Sequence, residues 1–340
     1  MFLSVGKEFF AMINVEKTLK GYQVIDLFSG IGGFHYAFSS FGAEVIYASE
    51  WDKDAADIYE KNFKIKPTGD ITKINAKEIP EHDILCAGIP CQPFSISGKR
   101  LGFEDTRGTL FFDVARIVKE KQPKIVFIEN VKNFATHDNG NTLHTVLTVM
   151  KDLGYNCFWK VLDAANYGIP QKRKRIYILC FRNDLGITEF EFPKEEVLKH
   201  HVEDILVPEK EVPKKLFVNR PDTFFNGSVD DHYSSGSIRL GIVNKGGQGE
   251  RIYSTKGAAV TLSAYGGGAG AKTGLYLINN KIRRLTPREC ARLDGFPEKH
   301  KLHENINVSY KQFGNSVVID VLQKIIAQFA YNEEMMKCLA

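Results

Sequence analysis

Val24-Ile25-Asp26-Leu27-Phe28-Ser29-Gly30-Ile31-Gly32-Gly33 is an apolar run that ends in a glycine-rich turn, and Phe34 to Phe41 continue it with helical spacing. A short run rich in β-branched residues, closed by glycine and followed by a helical pattern, is the opening unit of an open α/β sheet. Glycines at such a turn let a ligand approach the backbone and the helix N-terminus. The spacing is not G-x-G-x-x-G, so the pyrophosphate fingerprint of a dinucleotide fold is absent. Read without its surroundings, the turn could equally be a tight structural one.

The same alternation continues outward. Glu44 to Ser49 reads as a second strand and Asp52 to Phe63 as a helix. Asp83 to Ala87, Lys124 to Glu129 and Ile176 to Phe181 read as further strands, with Thr109 to Lys119 and Thr142 to Leu153 as helices. This order predicts a parallel sheet with helices on both faces. Near residue 190 the composition shifts to Gly, Asn, Ser and Lys with short β-like pieces, Ile252 to Thr255 and Leu275 to Ile278, which predicts a smaller, loop-rich domain containing β-structure. Pro287 to Leu293 reads as a helix with proline in its first turn. Val317 to Phe329 reads as an apolar-periodic helix that packs back on the first domain. The expected boundaries are 1–203, 204–314 and 315–340.

Composition bounds the partners. The chain has 340 residues, a formal charge of +4 and six cysteines. Mild basicity permits an acidic partner without demanding one. Six cysteines with no CxxC predict free thiols in a reducing compartment, and exclude a zinc site or a disulfide framework. No apolar run reaches the ~18 residues of a membrane span, and Lys7 and Glu8 break the N-terminal apolar stretch, so a cytoplasmic protein is expected.

Two constellations carry chemistry. Glu50 follows Gly30 by 20 residues, at the end of the second strand, where a nucleotide-binding α/β fold places an acid for the ribose hydroxyls. Trp51 is placed to stack on an adenine, and Asp70 to accept its amino group. Turn, acid and aromatic in this register point to a nucleoside cofactor, and S-adenosylmethionine fits better than a dinucleotide. The second constellation centres on Cys91, held between Pro90 and Pro93 after the apolar strand Ile84 to Ala87. A thiol there is either a nucleophile or a buried structural cysteine. Glu129 ends another buried strand, where a carboxylate is costly unless hydrogen-bonded or functional. In Gln171-Lys172-Arg173-Lys174-Arg175 the arginines share one side at period two, opposite the lysines, so one pair can hold an anion in a cleft.

Together these motifs resemble those of the DNA (cytosine-5) methyltransferases. Asp26 to Gly33 is similar to that family's cofactor motif, Pro90-Cys91-Gln92 to its nucleophile motif, Glu129-Asn130-Val131 to its acid motif and Gln171 to Arg175 to its arginine motif. Arg284 to Pro297 and Gln312 to Ser316 resemble its last two blocks, and all appear in the family's order over nearly the whole chain. The resemblance implies an S-adenosylmethionine-dependent, Rossmann-like catalytic domain built on a mixed, mostly parallel α/β sheet with helices on both faces, and a smaller, loop-rich target-recognition domain. It implies catalytic roles for Cys91, Glu129, Arg173 and Arg175. It implies cofactor contacts from Phe28, Gly30, Gly32, Glu50, Trp51, Asp70, Ile71, Pro90, Leu110, Asn315 and Ser316. No metal is implied.

The partner so implied is double-stranded DNA, with the target cytosine flipped out of the stack. Ser97 resembles a loop position that enters the duplex, and Arg107 belongs to the same basic loop. Asn244 to Tyr253, Ser263 to Gly268 and Ala271 to Gly274 resemble the recognition region of a restriction-type member that targets GCGC. By that resemblance Gln248, Arg251, Tyr265 and Gly267 contact DNA, Gln248 filling the gap left by the flipped base. Residues 205–236 resemble that member poorly, and Ala269-Gly270 replaces a bulkier apolar pair. The expected setting is a prokaryotic monomer, nucleoid-associated through DNA, with a cognate restriction endonuclease in the same cell and no stable complex with it. An RNA cytosine-5 methyltransferase with the same catalytic motifs, acting on tRNA, is the alternative, and a DNA-binding protein without catalysis is a third reading.

Overall fold

The computed structural model describes residues 18–90, 110–227 and 232–339. It divides into two compact units that interleave along the chain. One contains Asp163–Arg173 and Lys194–Val321; the other contains the described residues up to Leu162, Lys174–Pro193 and those from Leu322 onward.

The second of these units is built on six strands. In chain order its elements are β1 (Gln23–Leu27), α1 (Gly33–Ser40), β2 (Glu44–Ser49), α2 (Lys53–Phe63), β3 (Ile84–Gly88), α3 (Leu110–Lys121), β4 (Ile125–Val131), α4 (Asn141–Asp152) and β5 (Tyr155–Asp163). The chain then forms the two-residue strand β6 (Gln171–Lys172), which belongs to the other unit, before returning as β7 (Lys174–Arg182). The sheet order is β2-β1-β3-β4-β7-β5. β1 to β4 run parallel, and β7 enters antiparallel to β4. The mostly parallel mixed sheet is therefore present as the resemblance implies.

Its central strands are mostly apolar because both faces are covered. Ile25, Leu27, Leu85, Ala87, Val126 and Ile128 lie in one core with Phe111, Val114 and Val118 of α3. Fully burying side chains of this size contributes about 1.5–3 kcal/mol each. Local chemistry sets the helix ends. The Asp52 carboxylate accepts from Ala55 N at 3.1 Å and starts α2. Gly32 starts α1 at φ +91°, where a Cβ would stand 2.1 Å from Phe63 Cε2, so the turn requires glycine twice over.

One expectation fails here. Cys157 on β5 and Cys180 on the neighbouring β7 are paired as a disulfide, with Cα atoms 4.1 Å apart. Their separation of 23 residues hides a pairing that only the strand register creates. Cys86, Cys290 and Cys338 are free.

The other unit carries a five-stranded sheet ordered β13-β12-β10-β9-β8. Its strands are β8 (Thr223–Phe225), β9 (Arg239–Val243), β10 (Arg251–Ser254), β12 (Leu275–Ile278) and β13 (Lys281–Arg283), and β11 (Ala259–Val260) pairs with β6. Then come α5 (Pro287–Leu293), α6 (Ile306–Asn315), α7 (Ile319–Ala330), which leads into the unit of the six-stranded sheet, and α8 (Glu333–Leu339). A capping box between Thr286 and Glu289, with Pro287 in the first turn, fixes the start of α5. Glu289 is also fully buried in an ion pair with Arg283, at 2.7 Å. Among the described residues, no helix is long and apolar enough to cross a membrane.

Candidate active site

In the six-stranded sheet the order turns about β1, with β2 on one side and β3 on the other. Ligands of open α/β sheets bind beyond the carboxyl ends of the strands at such a switch point. The glycine turn leaves β1 there, Glu50 leaves β2, Pro90 leaves β3 and Glu129 lies two residues before the end of β4.

The turn and Glu50 are bonded to each other. Gly30 N donates to Glu50 Oε2 at 2.8 Å, and Asp52 N donates to Oε1 at 2.8 Å. Burial raises the Glu50 carboxyl above its usual range, and these two backbone donors oppose the rise. Phe28 and Gly30 both sit at φ +54°, and a Cβ on Gly30 would face open space. Trp51 is 74% exposed beside this carboxylate. An indole left in solvent next to a braced acid and an open turn suits a ribose carrying a flat base, so the donor set fits a nucleoside cofactor.

The segment expected to meet an adenine is braced separately. Ser49 Oγ donates to Gly69 O at 2.7 Å, and Asp70 Oδ1 accepts from the Thr72 backbone N–H at 3.1 Å and its hydroxyl at 2.8 Å. The Thr72 hydroxyl bond, first among the causes, lowers the Asp70 carboxyl below its usual range. Ile71 is buried, and its carbonyl accepts from Arg116 of α3, whose Nε is held by Asp113 at 2.9 Å. Leu110 opens α3 half-buried.

Beneath the turn lies a buried polar cluster that sequence reading did not single out. Asp26 is fully buried at the end of β1, and burial, then Glu50, raise its carboxyl far above the usual range against the backbone N–H of His35. His35 Nδ1 is 2.8 Å from Tyr59 Oη, and its ring stacks on Phe63 with centroids 3.7 Å apart. The signal was present: an aspartate inside an apolar strand is costly wherever it lands.

Glu129 and Arg175 come together. Glu129 pairs with Tyr177 and Val131 with Arg175 in the β4–β7 register, so the two side chains are diagonal neighbours on one face. Arg175 Nε lies 3.1 Å from Glu129 Oε1, and both side chains are largely buried. On its other side Glu129 pairs with Gly88 of β3, and its carbonyl accepts from Ile89 N at 3.2 Å. The strand that leads to Pro90 therefore leaves the sheet beside the carboxylate. Cys91, Ser97 and Arg107 lie outside the described residues.

Arg173 does not share the environment of Arg175. It is 2% exposed, and its guanidinium donates to Leu262 O and Gly314 O, both at 3.2 Å, and to Ser316 O. These acceptors are backbone carbonyls of its own unit. In that unit Asn315 ends α6 exposed, and Ser316 caps it nearly buried.

Those expected DNA-contacting residues that are described gather on two adjoining loops of the same unit. Gln248 stands exposed in a short 3-10 turn, and Arg251 follows with its Nε 3.4 Å from Gly246 O. Glu250, a residue sequence reading passed over, braces this loop. Its carboxylate accepts from Asn244 Nδ2 at 2.6 Å and Gly247 N at 2.9 Å. A Cβ on Gly249 would stand 2.0 Å from Gly267 O, so the second loop packs directly on the first. On that second loop Tyr265 is 75% exposed.

Comparison with known proteins agrees with this geometry. A family model described as C-5 cytosine-specific DNA methylase matches residues 22–330. The chain is 60% identical over 322 residues to Type II methyltransferase M.HhaI of Haemophilus parahaemolyticus, covering 94% of this chain and 97% of that protein. It is 42% identical over 308 residues to Type II methyltransferase M.NgoBI of Neisseria gonorrhoeae, covering 89% and 91%. The crystal structure of S. pombe Dnmt2 methyltransferase matches with a TM-score of 0.69 at 22% identity, over 90% of this chain and 97% of that one, a likeness of fold. With a family match over almost its whole length, this chain belongs to the C-5 cytosine-specific DNA methylases.

Proposed function

We propose that the protein transfers a methyl group to C5 of a flipped-out cytosine in double-stranded DNA, at the inner cytosine of GCGC, as the protective methylase of a type II restriction-modification system. The buried Glu129–Arg175 pair beside the exit of β3 carries this reading, because it sets an acid and a cation where the chain leads into Pro90-Cys91. The type II relatives support the restriction-modification setting, and the resemblance of Asn244 to Gly274 to a GCGC-recognition region supports the target.

C5 of cytosine is too weak a nucleophile to take a methyl group directly. The Cys91 thiolate adds to C6, forming a C–S bond and moving the ring electron pair toward C5. Glu129 hydrogen-bonds N3 and the exocyclic amine and supplies or shares a proton as C6 is attacked. Arg175 holds the ring carbonyl oxygen, where negative charge develops, and is itself held by Glu129. Arg173 is turned instead to backbone carbonyls of its own unit. When bound, S-adenosylmethionine supplies the electrophilic methyl group that C5 takes. A base such as water or hydroxide then takes the C5 proton, the C5–H pair reforms the C5–C6 double bond, and the Cys91 sulfur leaves as thiolate. Phe28, Gly30, Gly32, Glu50, Trp51, Asp70, Ile71, Pro90, Leu110, Asn315 and Ser316 would hold the cofactor. Gln248, Arg251, Tyr265 and Gly267 would read the duplex, with Ser97 and Arg107 from the loop after Cys91.

Bisulfite-type sequencing of DNA incubated with the protein and S-adenosylmethionine tests this. Modification at the inner cytosine of GCGC is expected. Modification at another motif retires the target assignment, and methylation of tRNA in place of duplex DNA retires the substrate.

A further inference from the structure

Arg173 belongs to a motif expected at the target base, yet its side chain is used elsewhere. We propose that it is a positioning residue coupling the DNA-recognition loop to the cofactor segment, so that occupancy of one changes affinity at the other. The inference rests on the assignment of those two segments given above.

The contacts join two pieces of chain far apart in sequence. Nη1 of Arg173 donates to Leu262 O at 3.2 Å, while Nη2 donates to Gly314 O at 3.2 Å and to Ser316 O. Leu262 is the root of the second recognition loop, which Ser263 N closes onto Lys272 O at 2.9 Å. Gly314 to Ser316 is the segment expected to line the cofactor. The arginine is itself fixed at both ends of its peptide. Its N–H donates to Asp163 Oδ1 at 3.1 Å, and its carbonyl accepts from Ala164 N at 3.0 Å.

A second side chain of the motif reinforces the same root. Gln171 is fully buried; its Oε1 accepts from Leu262 N at 3.3 Å, and its Nε2 donates to Asp294 Oδ1 at 3.0 Å. Both polar groups of the Leu262 peptide are thus held by one short stretch, 171–173. Beneath these bonds the two segments touch. A Cβ on Gly314 would stand 2.0 Å from Ala264 N, so Ala264 cannot shift toward Gly314 without moving it.

Arginine suits this task because its rigid planar fork presents several donors at once to separate carbonyls, whereas lysine is a single compact point charge. A duplex that moves the recognition loop pulls on the carbonyl of Leu262, and the shared guanidinium passes that displacement to Ser316. Such coupling is reciprocal for binding.

The test is a binding cycle on the full chain, using S-adenosylhomocysteine as a non-reacting cofactor probe. Its Kd is measured by calorimetry alone and with a saturating GCGC duplex. The ratio of the two constants in the wild type is expected to fall in the range of about 5- to 150-fold. In Arg173→Lys the ratio is expected to collapse to within about threefold of unity. Gly314→Ala perturbs the same junction from its other side and is expected to shrink the ratio as well, which keeps the test open if the lysine variant does not fold. A ratio preserved in the folded variants overturns the inference, even if each ligand alone binds more weakly, because a merely structural role moves both constants together. A wild-type protein that binds neither probe nor duplex overturns the functional reading itself, and the coupling with it.

Discussion

Arg175 and Glu129 meet across a diagonal of the antiparallel β4–β7 pair, Nε to Oε1 at 3.1 Å. The register alone dictates the meeting: Arg175 faces Val131, two residues beyond Glu129 on the same face of β4. Because both side chains are mostly buried, neither reaches bulk water to replace the other.

Glu129→Gln keeps size and removes the charge, and Arg175→Lys keeps charge and removes the fork. Each is expected to slow single-turnover methyl transfer by about 10²- to 10⁴-fold, the range for loss of positioned acid–base or charge stabilisation. Radiolabelled methyl transfer to a GCGC duplex measures this. Rates within a few-fold of wild type would remove the residue from the reaction.

Glu50 holds Gly30 and Asp52 through their backbone N–H groups and is the expected ribose ligand. Glu50→Ala is expected to weaken S-adenosylmethionine binding about 10- to 100-fold, since hydrogen bonds to charged groups contribute about 1.5–3 kcal/mol. Calorimetry decides it, and an unchanged affinity would take Glu50 out of the site.

His35 titrates near 6.5 when exposed, but burial against Tyr59 and Phe63 pulls it down to about 4. The unfolded chain therefore binds its proton first as pH falls. The stability present above about pH 6.5 is lost as pH drops toward 4, by about 3 kcal/mol in all. His300, pulled down to about 3 by burial, adds a loss of the same sign. Urea midpoints across this range are expected to fall with pH, and His35→Asn to flatten the slope. A variant as acid-sensitive as the wild type would acquit His35.

The recognition loops depend on Glu250 for their shape. Glu250→Ala removes the acceptor of Asn244 and Gly247 beside Gln248, and is expected to lower discrimination between GCGC and single-mismatch duplexes. Competitive methylation assays report that ratio. Undiminished discrimination would show that the loop keeps its shape without the brace.

The strands and helices around the Gly30–Gly33 turn are legible because their apolar runs and glycine turn are local signals. Val24 to Gly33 contains a strand, a turn and a helix start in a single stretch. The five-stranded sheet is not legible in the same way. β8 and β9 are short pieces, Thr223–Phe225 and Arg239–Val243, whose pairing depends on partners elsewhere in that sheet. α6, whose end carries Asn315, has a mixed polar pattern that hides its helical period. The two arginines of one motif look equivalent in sequence at period two. They part because β7 begins at Lys174, leaving Arg173 outside the strand among carbonyls and Arg175 inside it beside Glu129. The Cys157–Cys180 pair is invisible for the same reason: it exists only once β5 lies against β7.

The most direct test of the chemistry uses a GCGC duplex carrying 5-fluorocytosine at the inner position, incubated with the protein and S-adenosylmethionine. Fluorine cannot leave as a proton does, so the account predicts a stable covalent complex whose adduct maps by mass spectrometry to the peptide containing Cys91, and none with Cys91→Ser. An adduct that persists in Cys91→Ser, or maps to another residue, would contradict it.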